Sequence, residues 1–531
     1  MLKHILRHTL TTASRRLPTS HTIRTIATLG GNSIEHEEQS YVQVNGQRYA
    51  LPAPGRPVVG FCMDGTSQDY IDAAIQAGCM PNWKGILGDP EALSFAAFVQ
   101  RNAQAQLSRG THALVTSAYP TFTNPNNVGI MTGLPPSQHG ISGNYYVDDE
   151  DKPVIMTSAK LIRANSIFAA LARAGVKVTI ITVKDKLKTL LSHELDPELV
   201  RSGNVRCISV ENLSRANTES LGVELGFDAG SSQSFETALN YAASVSKDLS
   251  EGRRAPDPYH PHASSYAIRL GTRLALDAMR NEPQGRSLFY ITTTDYIQHA
   301  HPPGEPEANA LMQELDQAIG QLHKAGAIVG MTADHGMNDK SGFNGEPRVV
   351  YLSDELQTRC GLVDGKTARV ILPITDPYVA HHAALGGCGF VKLFKNASAG
   401  AQPDLQHIMK TLRDIPGIYT VVGAQDAAKA FDLPIDRIGD FVVFGDSQTA
   451  LGSSRTFHAP QLEEAMNQRR QGGKFRLRSH GSMDEATVPM FVNRALNPEV
   501  ARKLTTGKGR NWDLYAILLN GIHPDATPAT Y

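Results

Sequence analysis

Three times along this chain, a stretch of helical spacing runs directly into an apolar run of strand length. SIFAALARAG leads into VKVTIIT at 176–182, SYAIRLGTRLALDAM precedes SLFYITTT at 287–294, and EANALMQELDQAIGQLHKA leads into GAIVGMT at 326–332. A fourth unit has the reverse order. PVVGFCMDG at 57–65 reads as a short buried strand ending in a polar turn, and GTSQDYIDAAIQAG follows with helical spacing closed by Gly78. Parallel strands need a crossover that returns the chain to the same end of the sheet, and an intervening helix supplies it. The alternation therefore predicts an α/β fold, a mostly parallel sheet sandwiched by helices. Ahead of it, YVQVNGQRYAL at 41–51 alternates around Asn45-Gly46, the signal of a hairpin with a type I′ turn.

From about 346 to 478 the rhythm changes. RVVYL, ARVILPI, GFVKLF, YTVVG and DFVVFG are short β-like runs split by turns and one or two helical stretches. The chain then closes with FRLRSHGSMDEATVPMFV, which holds another strand pattern, and a final helix. At 531 residues the chain is too long for one simple core. The expected organisation is a core of residues 36–345 and 479–531, interrupted by a smaller α+β cap at 346–478. RRAPDPYHPHASS at 253–265 reads as a surface loop.

The first 34 residues contain no Asp or Glu but hold Lys3, Arg7, Arg15, Arg16 and Arg24 among many Ser and Thr. This is the composition of a mitochondrial transit peptide, taken to span 1–35 and to direct the chain to the matrix. The competing reading is a basic tail with no address, on a protein that stays cytoplasmic. The net charge of −1 makes no electrostatic case for nucleic acid or an anionic membrane surface, and no apolar run is long enough to span a bilayer. Five cysteines, Cys62, Cys79, Cys207, Cys360 and Cys388, form no C-x-x-C pair and are odd in number. Neither a disulfide framework nor a thiolate metal site follows from them. Any metal must be held by carboxylates and by some of the 19 histidines.

In an open α/β sheet, the carboxyl ends of the strands converge on one rim, where ligands bind. Four strands of this chain each bring charged or metal-binding residues there. PVVGFCM delivers Asp64, VKVTIIT delivers Lys184 and Lys186, SLFYITTT delivers Asp295 and then His299, and GAIVGMT delivers Asp334 and His335. Singly, each has an ordinary structural reading: Asp64 as a helix N-cap, Asp334-His335-Gly336 as a loop, KDK as a solvated strand end, His480 as a lone histidine. Together, three Asp and three His suffice for two divalent ions with open positions for substrate. Such pairs, about 4 Å apart, suit displacement at phosphorus. Within PTFTNPNN at 120–127, Thr121 and Thr123 each read either as turn residues or as a nucleophile.

The order CMDG, TFTNPN, TTTDYIQHAHPPG, TADHGM and SHGSMDEATVP resembles the alkaline phosphatase superfamily, in its nucleotide pyrophosphatase/phosphodiesterase branch. The resemblance runs over essentially the whole chain after the leader. It implies an alkaline phosphatase-like core and two zinc ions, one held by Asp64, Thr123, Asp334 and His335, the other by Asp295, His299 and His480. It also implies that Thr123 is the nucleophile and that Asn144, in GISGNYY, donates to a phosphoryl oxygen. On residue type alone Asn144 reads equally well as a turn residue. Within the branch, FTNPNN and ITVKDKL are similar to the phosphonoacetate hydrolases, which implies that Lys184 and Lys186 bind the substrate. A small phosphonate carrying a carboxylate would then be the substrate. Attack by Thr123 would expel acetate as its enolate, and water would free phosphate from the phosphothreonine. A homodimer is the candidate assembly.

The segment between Asp64 and Thr123 is longer than this resemblance leads one to expect. Its extra residues, roughly 84–109, read as a helix, DPEALSFAAFVQRNAQAQL. Two other functions compete. A nucleotide pyrophosphatase or phosphodiesterase would use the same di-zinc site with an aromatic slot for a base. A non-catalytic binding protein on this fold should have lost a ligand, yet all six Asp/His positions and the threonine are present. No C/S-x-P-x-R motif supports a sulfatase, and a phosphoglycerate mutase of the superfamily would use a serine with manganese.

Overall fold

The computed structural model describes residues 40–88, 109–212, 263–375, 383–394, 404–470 and 476–528. The segment 1–35 expected to be a transit peptide, the helix expected at 89–107 and most of the loop at 253–265 lie outside the described residues. The start of that loop's end, Ala263, already opens a helix.

The first hairpin forms as expected. β1 (Tyr41–Val44) pairs with β2 (Gln47–Ala50), and Asn45 and Gly46 take φ of 52° and 80°. Both central residues of a type I′ turn need positive φ, which Asn and Gly adopt most readily. The main sheet is built from β3 (Val58–Cys62), β4 (Thr111–Thr116), β5 (Lys177–Thr182), β6 (Val205–Ser209), β7 (Ser287–Thr292) and β8 (Ile328–Thr332). The chain later adds β9 (Ala368–Ile371), β10 (Cys388–Leu393), β11 (Ile418–Gly423) and β12 (Phe441–Gly445) in a second sheet, then β13 (Thr487–Val492) in the first. The spatial order of the first sheet is β4-β13-β8-β3-β7-β5-β6. β8, β3, β7, β5 and β6 pair in parallel, and β13 runs antiparallel to both β8 and β4. The sheet is therefore mixed, with β13 alone reversed.

Alternate residues of the central strands feed two different cores. Val59, Phe61, Phe289, Ile291, Val329 and Met331 pack with the helices α1 (Gln68–Gln76), Ala263–Asn281 and Pro306–Ala325. Val58, Cys62, Leu288 and Tyr290 face the other way, toward α2 (Thr123–Thr132), α3 (Ile167–Arg173), α4 (Asp185–Leu191) and α5 (Leu514–Asn520). Period-two side chains with both faces covered explain why these strands read as unbroken apolar runs. Gly60, at the centre of β3, is required by α5: a Cβ there would lie 2.6 Å from the Tyr515 hydroxyl.

Residues 346–478 supply the antiparallel sheet β9-β10-β12-β11, with its own apolar cluster around Phe390, Val442 and Phe444. Phe122, next to Thr123, inserts into that cluster. Residues 40–531 cluster as one compact unit. No helix among the described residues is long and apolar enough to cross a membrane.

Candidate metal centre

Register places the site. Cys62 of β3 lies level with both Thr332 of β8 and Thr292 of β7. The three strands thus end together, and Asp64, Asp334 and Asp295 follow within two or three residues. One strand further out, Ile181 of β5 aligns with Ile291, which brings Lys184 to the same rim. His299 sits one turn after Asp295, in the short helix Tyr296–Ala300. His480 arrives through a two-residue antiparallel ladder in which Asn338 pairs with Ser479 and Asp339 with Arg478.

The six Asp and His side chains converge and are all buried. Asp295, His299 and His480 offer ligand atoms within 4.8 Å of one another, as do Asp64, Asp295 and His335. The first group is the second zinc set implied by the family resemblance. The second draws Asp295 in as a shared carboxylate. Asp334 stands slightly back, with Oδ2 3.9 Å from His335 Nε2. It accepts from the Asn127 amide at 3.1 Å and from the Gly65 and His335 backbone N–H groups at 3.2 and 3.0 Å. Thr123 is the first residue of α2, and its hydroxyl lies 3.4 Å from His335 Nε2.

The histidine tautomers follow from their partners. Nδ1 of His299 faces the Arg478 carbonyl at 2.7 Å, that of His335 the Gly336 carbonyl at 2.9 Å, and that of His480 the Thr121 carbonyl at 2.6 Å. A carbonyl only accepts, so each Nδ1 carries a hydrogen, and each Nε2 is the atom turned inward. The Nε2 atoms lie 3.1 Å and 3.4 Å from Asp295 Oδ2, for His299 and His480, and 3.3 Å from Asp64 Oδ1, for His335. Asp64 Oδ1 is itself buried without a hydrogen-bond partner. Nitrogen and oxygen lone pairs facing each other in a buried space need positive charge between them, and this donor set fits divalent cations.

The electrostatics agree. Burial pushes the Asp334 carboxyl up, and the neighbouring Asp64 carboxylate pushes it further, to about 8. Burial pulls His335 down, but the Asp334 and Asp64 carboxylates outweigh it and lift the imidazole to about 9. His480 is drawn down to about 4 by burial and by His335. Burial would also raise Asp295, but Lys184 and His299 hold it well below the carboxylate range.

Lys184 is brought into the centre, with its ammonium 3.1 Å from Asp295 and 3.3 Å from Asp64. Lys186 enters α4 half-buried, close enough to Glu211 to act on its carboxyl. Asn144 is placed against residues 373–374: its N–H donates to the Pro373 carbonyl and its side-chain amide to that of Ile374.

Two roles escaped the sequence reading. Asn127 also donates to the Thr123 carbonyl and accepts from the Tyr290 hydroxyl at 2.6 Å, so it ties α2 to Asp334. Its spacing of four from Thr123 was the available signal. Thr121, the other threonine of PTFTNPNN, orients His480 through its carbonyl. A third cluster, His301 with Glu305 and Glu307, lies on the surface.

A family model described as type I phosphodiesterase / nucleotide pyrophosphatase matches residues 58–473. Among solved structures, the chain is similar to phosphonoacetate hydrolase from Sinorhizobium meliloti 1021 in complex with phosphonoformate. Identity is 34%, coverage 90% of this chain and 98% of that chain, and the TM-score 0.68. The same enzyme in complex with phosphonoacetate matches at 33% identity, with the same coverage and TM-score. Murine ectonucleotide pyrophosphatase / phosphodiesterase 5 in complex with AMP shares the fold, at 16% identity over 90% of this chain and 97% of that chain, with a TM-score of 0.50. The buried Asp/His cluster agrees with the metal dependence of this family. The chain belongs to the type I phosphodiesterase/nucleotide pyrophosphatase family of the alkaline phosphatase superfamily.

Proposed function

We propose that this chain hydrolyses the carbon–phosphorus bond of phosphonoacetate, giving acetate and phosphate, in a zinc-dependent reaction through a phosphothreonine. One observation carries the reading: a lysine ammonium, that of Lys184, stands within 3.3 Å of Asp64 and 3.1 Å of Asp295, inside the cluster. A substrate with a second anionic group requires such a cation, and the 34% identity to a phosphonoacetate hydrolase supports it. Asp64, Thr123, Asp334 and His335 would hold one zinc and Asp295, His299 and His480 the other, supplying Lewis acidity at the phosphonate and a more acidic nucleophile.

Thr123 contributes its oxygen from the first turn of α2, where unpaired backbone N–H groups favour an anion. The Thr123 oxygen forms a bond to phosphorus as the P–C bond breaks. The electron pair leaves on carbon and delocalises into the carboxylate, as the enolate of acetate, which then takes a proton. Lys184 meets that carboxylate, and its charge is worth more as the enolate develops. Lys186 adds positive charge on the same side. Asn144 has a second amide hydrogen to offer a phosphoryl oxygen. Water then attacks phosphorus, the Thr123–phosphorus bond breaks, and the threonine recovers its proton.

The test is a substrate panel. Purified protein is incubated with phosphonoacetate, 2-aminoethylphosphonate and p-nitrophenyl phosphodiesters, with and without chelator, and phosphate or nitrophenol is measured. Phosphate release from phosphonoacetate, lost with chelator and restored by zinc, is expected. A strong preference for the diester moves the assignment to nucleotide pyrophosphatase/phosphodiesterase on the same site.

A further inference from the structure

Beside the centre, but outside both ligand sets, lies a fully buried ion pair: Lys340 Nζ is 2.8 Å from Glu485 Oε1. A pair of this kind adds little net stability over well-packed apolar residues. Its other bonds point to a different use. Glu485 Oε2 accepts from the Ser482 backbone N–H at 2.7 Å and from the Ser482 hydroxyl at 2.5 Å. Glu485 Oε1 also takes the Asn338 amide at 2.7 Å, and the Glu485 carbonyl takes the Gly336 N–H at 2.7 Å. One residue thus joins the loop following His480 to the turn and strand following His335.

The connection continues to the nucleophile. The Ser482 carbonyl accepts from the Thr121 hydroxyl at 3.0 Å, and that hydroxyl accepts from the Gly481 N–H at 2.8 Å. The Thr121 carbonyl receives His480 Nδ1–H at 2.6 Å, two residues before Thr123. Lys340 reaches outward as well, donating to the Ser447 carbonyl at 3.0 Å in residues 346–478. Burial would raise the Glu485 carboxyl, but Lys340 outweighs it and holds the group below its ordinary value.

We propose that Lys340 and Glu485 are positioning residues whose buried ion pair, acting through Ser482 and Thr121, sets where His335, His480 and Thr123 stand and so how tightly the centre binds divalent cations. The proposal rests on the metal-centre reading above. Neither residue is a ligand, and both act only through the backbone and side chains they hold.

Zinc binding to the metal-stripped full-length chain, measured by competition with a fluorescent chelator, tests this. Glu485→Gln keeps the shape but leaves the Lys340 charge unmatched. Lys340→Met/Glu485→Gln removes both charges, and Ser482→Ala removes the hydroxyl that bonds Glu485 and Lys340 while leaving the Ser482 backbone N–H and carbonyl bonds in place. Leu322→Ala, in the core under the other face of the sheet, lowers the melting temperature without touching this network. Loss of such supporting contacts weakens metal affinity about 10–100-fold. That loss is expected in Glu485→Gln and the double variant, and a smaller one in Ser482→Ala, with Leu322→Ala binding zinc as the wild type does. Wild-type affinity in the double variant overturns the positioning role even if Glu485→Gln fails to fold. Equal weakening in Leu322→Ala reduces the effect to general stability and overturns it too. A wild-type chain that binds no zinc is a separate outcome, which removes the metal reading itself.

Discussion

At the scale of single residues, chemistry is decided by which atom each side chain turns inward. Three histidines donate Nδ1–H to carbonyls, and three Nε2 atoms therefore meet the carboxylates. The residue types were legible in the sequence, because Asp and His after three strand-like runs are few and ordered. The orientation was not, since Arg478, Gly336 and Thr121 lend only their backbone carbonyls, and backbone partners leave no trace in residue type. Thr123 illustrates both halves. Its neighbour Thr121 looks equivalent in PTFTNPNN, yet the structure commits Thr121 to Ser482 and Gly481 and leaves Thr123 beside His335. On the proposed mechanism, Thr123→Ala should lower kcat at least about a thousandfold, since no phosphothreonine could then form. Zinc content by mass spectrometry should stay within a factor of two of wild type. Near-normal turnover by the variant would rule out Thr123 as the nucleophile.

At the scale of elements, the strands recognised in advance and those overlooked differ in position. β3, β5, β7 and β8 are interior strands, buried on both faces, and their apolar runs stand out. β4 and β6 are the two edges of the sheet. THALVT and VRCIS are only partly buried, so their composition is mixed and their signal weak. The reversed direction of β13 was not legible either, because direction is a property of the path between strands. Packing between elements is equally hidden, and Gly60 shows its consequence. Alanine there would force the Tyr515 ring of α5 outward, costing about 1–3 kcal/mol. Urea unfolding of Gly60→Ala checks this. A midpoint equal to wild type would mean that α5 can shift freely over β3.

At the scale of the whole molecule, two histidines far from any ligand role shape the response to acid. Burial holds His112 and His139 down to about 3, against an ordinary value of 6.5. Each is neutral in the fold but takes a proton in the unfolded chain below pH 6.5. Their share of stability is therefore complete above pH 6.5 and is lost as the pH falls toward 3, on the order of 1.4 kcal/mol per pH unit for each. His112→Gln should flatten this slope, so that wild type loses more stability than the variant in urea titrations between pH 6.5 and 5. Parallel profiles would contradict the assignment. For the molecule as a whole, the sequence by itself determined the α/β class and picked out the six Asp/His residues that the fold gathers at one rim, with Thr123 beside them. Periodicity and residue type are local properties, and a strand end announces itself. Only the tertiary structure decided that Asp295 is shared between the two groups, that Lys184 spans them, and that Lys340 and Glu485 tie their loops together. The Lys184 and Lys340 contacts join residues more than a hundred positions apart, and distance along a chain carries no record of what folding brings within 3.1 Å.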